Sequence, residues 1–70
     1  MAYTREDLTE ARRQIASTLH KLRETVKTLE SKETPQRYKS QITLAKRRIA
    51  AFEIAEELIA AELAKIENAP

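Results

Sequence analysis

The stretch Ser31-Lys32-Glu33-Thr34-Pro35 decides the fold. It interrupts two long helical patterns, it holds no apolar residue, and Pro35 cannot donate a backbone hydrogen bond to a helix running through it. Thr34 as N-cap with Pro35 at the first helical position is a favoured helix start. This predicts a loop over about 32–34 between a helix over about 5–31 and a second over about 35–67. So short a loop permits only an antiparallel return, giving an αα-hairpin within one domain over 1–70; a single helix kinked at Pro35 is the rival.

Upstream of the break, Thr4 is a good N-cap, and Asp7 three residues on makes a capping box with Asp in place of Glu. Tyr3 and Leu8 have the spacing of a hydrophobic staple. Glu6 and Asp7 also put negative charge on the positive end of the helix dipole. Leu8, Ile15, Leu22 and Leu29 then recur every seventh residue. Leu19 and Val26 fill alternate core positions, and Arg12 occupies the remaining one. This is one narrow apolar seam.

Downstream, the seam reads Tyr38, Ile42, Ala45, Ile49, Phe52, Glu56, Ile59, Leu63 and Ile66, in alternating steps of four and three. When paired residue numbers add to 67 or 68, the two seams align. Leu29 then meets Tyr38, Val26 meets Ile42, Leu22 meets Ala45, Leu19 meets Ile49, Ile15 meets Phe52, and Leu8 meets Ile59. The same register predicts an Arg12–Glu56 ion pair inside the hairpin. Such a pair specifies register more than it stabilises, because desolvation offsets much of its attraction.

The chain has 70 residues, with no glycine, no cysteine and no tryptophan. Without glycine, turns that need positive φ have no easy residue, which argues against hairpin-rich β folds and Gly-rich phosphate loops. The absence of cysteine excludes disulfides and thiolate metal sites. Thirteen basic and eleven acidic side chains leave a net charge of +2, too little for a global field that would draw the chain to DNA or membranes. The opening lacks the basic-then-apolar order of a secretory signal, and no run approaches a membrane span, so a cytoplasmic location without membrane contact is expected.

Two helices side by side bury one stripe each, and the second helix carries more apolar surface than the first can cover. Leu44, Ala51, Ala55 and Leu58, with Phe52, Ile59 and Ile66 shared, form a second stripe roughly 90° from the seam. It is self-complementary. With a two-fold axis at Ala55 and antiparallel helices, Leu44 meets Ile66 of the partner copy, Ala51 meets Ile59, Phe52 meets Leu58, and Arg48 meets Glu62. The expected architecture is therefore all-α, an antiparallel two-helix hairpin dimerising into an antiparallel four-helix coiled-coil bundle. Charge agrees: residues 21–48 carry nine basic and three acidic side chains, whereas 49–70 carry one Lys and five Glu. Antiparallel association sets each positive loop end against a negative open end.

No catalytic, cofactor or metal constellation emerges. His20 is the sole histidine and lies by phase on the solvent side, with no further ligands at metal spacing. Glu56 and Glu57 differ by one helical step, which separates their carboxylates around the helix, and Glu56 is claimed by Arg12. Tyr38, on the seam, reads as the lid of the hairpin. Lys21, Arg23, Lys27, Lys32, Arg37 and Lys39 gather near the loop and could contact phosphate.

The opening Tyr3-Thr4-Arg5-Glu6-Asp7-Leu8 and the stretch Leu44 to Leu63, with Lys46-Arg47-Arg48-Ile49 and Ile54-Ala55-Glu56-Glu57-Leu58-Ile59, resemble small uncharacterised helical-hairpin proteins of Gram-positive bacteria and their mobile elements. The resemblance implies the fold and no activity. The dimeric hairpin also looks like the plasmid-copy-control RNA-binding proteins, an analogy of fold alone. The expected function is a non-enzymatic protein–protein interaction module that associates with itself and with a larger protein. The alternative is a small RNA- or DNA-binding regulator that uses Lys21, Lys27, Lys32, Arg37 and Lys39.

Overall fold

The computed structural model describes residues 2–33 and 35–68. Helix α1 spans Arg5–Glu30, a 3-10 turn spans Pro35–Tyr38, and helix α2 spans Lys39–Glu67. The two helices pack along their length into a rod of 56 × 18 × 15 Å. Among the described residues every backbone φ is negative, as a chain without glycine requires.

The N-terminus of α1 forms as its residues dictate. The Thr4 hydroxyl accepts from the Asp7 N–H at 3.0 Å, and the Thr4 N–H donates to the Asp7 carboxylate at 3.2 Å. Helix α1 ends in a right-handed turn at Ser31, whose N–H donates to the carbonyls of Lys27 and Thr28 and whose hydroxyl donates to the Thr28 carbonyl at 2.8 Å. Thr34, the expected N-cap of the second helix, lies outside the described residues. The expected α-helical start at Pro35 is corrected: the first turn is 3-10, and α geometry begins at Lys39. Neither an acidic residue in the first turn of α2 nor a side-chain cap at Tyr38 compensates the positive end of its dipole.

The seam of α1 is Leu8, Ala11, Ile15, Leu19, Leu22, Val26 and Leu29, all at least half-buried. Ala11 takes the slot expected for Arg12, which is exposed. The expected Arg12–Glu56 pair is therefore corrected as well: the six ion pairs among the described residues do not include it. A small alanine fits the closing gap between helices at no desolvation cost, whereas a guanidinium one step round reaches water. Tyr38 is half-buried at the loop end, and Leu8, Ala11 and Ile59 line one cleft at the open end. Tyr3 lines that cleft beside Leu8 but is largely exposed, so the staple closes only on one side.

The ionic contacts between helices flank the seam. Arg23 pairs with Glu53 at 2.9 Å, Lys46 with Glu30 at 3.2 Å, and Arg5 with Glu67 at 3.4 Å. Exposed pairs of this kind contribute about 0–1 kcal/mol each, so they orient the helices more than they hold them. Thermal unfolding followed by circular dichroism should show Arg12→Ala within about 0.5 kcal/mol of the parent. Leu19→Ala, at the one side chain only 1% exposed, should cost about 2–5 kcal/mol. The reverse ranking would return Arg12 to the seam.

On the outer face of α1, Arg13 donates to both carboxylate oxygens of Glu10, at 2.9 and 2.7 Å, and Gln14 donates at 2.9 Å. Hydrogen bonds from Arg13, then from Gln14, lower the Glu10 pKa from its ordinary 4.5 to about 2. As pH falls the unfolded chain takes this proton first. The stabilising effect is thus complete above pH 4.5 and lost between 4.5 and about 2. Because the group is fully exposed, solvent screens the effect. Far-ultraviolet circular dichroism should show a shallower loss of helicity across that window for Glu10→Gln than for the parent.

Candidate functional site

The two helices use their surfaces differently. Helix α1 has one apolar stripe and is polar elsewhere, whereas α2 is alanine-rich from Ala50 to Ala64 and apolar around much of its circumference. One neighbouring helix covers only one side of α2. Among the described residues the buried ones are accordingly Leu19, Val26, Ala45 and Leu63, while Leu44, Ile54 and Leu58 stand 49%, 59% and 64% exposed.

The flanks of the hairpin differ too. Arg5, Arg23 and Glu30 recur at spacings of about five and two turns along α1, and their partners Lys46, Glu53 and Glu67 at about two and four turns along α2. All three inter-helix ion pairs among the described residues therefore lie on one flank. The opposite flank of α2 follows Leu44, Arg48, Ala51, Ala55, Leu58 and Glu62 to Ile66, in steps of three and four. The matching flank of α1 presents Ala11, Thr18 and Thr25, all uncharged. One side of the hairpin is closed by salt bridges, and the other is mostly apolar on α2, interrupted by Arg48 and Glu62.

The structure places the expected interface residues as follows. Leu44, Ala51, Leu58 and Ile66 are exposed, and Phe52, Ala55 and Ile59 are half-buried because they also touch the seam. Arg48 is exposed and has no ion pair among the described residues; Glu62 accepts from Lys65 of its own helix at 3.0 Å. Ile54 is the exposed apolar residue that the stripe reading missed. Its phase points away from α1, on a line that also carries Thr43, Arg47 and Glu57, so the sequence pattern gave no clear apolar signal there.

The loop half of the hairpin keeps its positive charge. Lys21, Lys32, Arg37 and Lys39 are exposed without an ion pair among the described residues, as are Arg47 and Arg48. Lys27 lies 3.9 Å from Glu24, and Arg23 is held by Glu53. At the open end, Glu6, Asp7, Glu56 and Glu57 lack a cationic partner among the described residues. His20 is exposed.

The hairpin is extended, and its surface is correspondingly large. A compact monomer of 8.0 kDa exposes about 4,500 Å² by the usual size scaling, and this chain exposes 5774 Å². Its radius of gyration is 15.9 Å, where a compact domain of this length has about 11 Å. No described helix is long and apolar enough to cross a membrane. Comparison with known protein families, curated proteins and solved structures finds no match for this chain.

Proposed function

We propose that this protein is a non-enzymatic helical interaction module that acts as a homodimer, two hairpins closing an antiparallel four-helix bundle through the flank of α2 that lacks inter-helix salt bridges. The observation that carries the reading is the line Leu44, Ala51, Leu58 and Ile66, exposed along one continuous flank. Burying apolar surface contributes roughly 25 cal/mol per Å², and a standard interface takes about 800 Å² from each partner. Small residues at Ala51 and Ala55 allow two helices to approach closely. Arg48 lies level with Glu62 of the antiparallel copy, and the loop-end cations of one hairpin lie beside the open-end carboxylates of the other.

The absence of an enzymatic role rests on the character of the titratable groups. Glu10, a carboxylate held low, stands exposed on the surface and is held by its own helical neighbours. The assembled bundle would then offer a rigid surface to a larger protein. Sedimentation equilibrium should show the parent at two or more chains per particle and Ala55→Glu at a lower mass with helicity retained. Equal masses for the two would remove the interface at Ala55.

A second reading is favoured by a different observation, the unneutralised cations Lys21, Lys32, Arg37 and Lys39 around the loop. They would contact phosphates of RNA or DNA, with the half-buried Tyr38 as the nearest aromatic. Retention on immobilised nucleic acid at two salt concentrations tests it. A steep fall in binding with added salt supports this reading, and no retention at low salt rejects it.

A further inference from the structure

The bundle accounts for two sides of α2, the seam and the flank that lacks inter-helix salt bridges. A third side remains. Thr43, Arg47, Ala50, Ile54, Glu57 and Ala61 recur in steps of four and three, so they share the face turned away from α1. All six are exposed, Ile54 at 59%. Ala50 and Ile54 floor a shallow groove whose rim carries Glu53, Glu56 and Glu57, and of these only Glu53 has a cation, Arg23. Arg47 and Glu57 stand one turn inside opposite ends of the strip, and neither takes part in an ion pair among the described residues. Ten residues of helix, about 15 Å, keep them from meeting within one chain.

The spacing is self-complementary. Two copies of α2 laid antiparallel, with a two-fold axis level with Phe52, set Arg47 of each against Glu57 of the other. The same register sets Ile54 against Ala50 of the second copy, a large residue into the space over a small one, and Thr43 against Ala61. We propose that this outer strip is a second self-contact through which the proposed dimers join; it rests on the dimer reading. The surface area supports a further contact. The excess over a compact monomer is on the order of 1,300 Å² per chain, whereas one standard interface removes about 800 Å².

The geometry also dictates how such an assembly grows. The axis of the first contact lies at Ala55 and that of the second level with Phe52, about 4.5 Å apart along the helix. Axes that do not meet cannot close a four-chain ring, so mass rises with concentration.

Sedimentation equilibrium over a range of concentrations tests the contact, with circular dichroism to establish that each variant is folded. The parent should rise above two chains per particle as concentration increases. Arg47→Glu and Glu57→Arg should each stop at two, and the double variant Arg47→Glu/Glu57→Arg should recover the rise. Ala55→Glu, which retains only the outer contact, should also stop at two. Single variants that sediment like the parent overturn the contact, as does a double variant that stays at two. A parent steady at two chains that Ala55→Glu dissociates overturns it while the dimer reading stands. A parent of one chain throughout removes both.

Discussion

Two packed helices share a single seam, and that seam can bury only what faces it. Everything distinctive about this chain follows from that limit. Helix α1 is matched to it, with one apolar stripe ending at Leu29 and polar residues elsewhere. Helix α2 is not. Leu63 and Ala45 are buried against α1, while Leu44, Ile54 and Leu58 on the same helix remain in water. The conformational entropy of ordering a residue, about 1–2 kcal/mol for the backbone alone, is offset mainly by burial. Among the described residues four are buried, and the hairpin exposes more surface than a compact monomer of its mass.

Charge gives the rod its polarity and its two unlike flanks. The three ion pairs that bridge the helices gather on one flank and leave the other free of inter-helix charge. Exposed pairs add little stability, but their placement matters, because the flank without inter-helix pairs carries only Arg48 and Glu62 among its small and apolar residues. Cations concentrate around the loop and carboxylates at the open end. An antiparallel neighbour satisfies both ends, and a parallel one satisfies neither.

The hairpin itself was legible in the residues. The capping box at Thr4 and Asp7, the break before Pro35 and the heptad spacing of Leu8, Ile15, Leu22 and Leu29 all depend on neighbours within a few positions, so they can be read from the chain directly. The assignment of Arg12 to the seam was not secure for the same reason. Residues 11 and 12 both lie near the required phase, and only the approach of α2 admits Ala11 and leaves Arg12 in solvent. The 3-10 turn at Pro35–Tyr38, compatible with the fixed φ of proline, was not distinguished from an α-helical start by spacing alone. The flank of α2 was legible as a period, whereas the exposed Ile54 lies outside that stripe and emerged with the fold.

Sequence alone determined the elements: two helices, the capping box of the first, their antiparallel return and the surplus of apolar residues on the second. These are matters of spacing and of short-range hydrogen bonding, which the chain carries wherever it goes. Tertiary structure decided which side of that surplus the first helix covers and where the salt bridges settle. It thereby decided which apolar side chains remain exposed. Those outcomes depend on the rotation of one helix against the other, set by the packing of Leu19, Val26, Ala45 and Leu63 together, and no single segment encodes it.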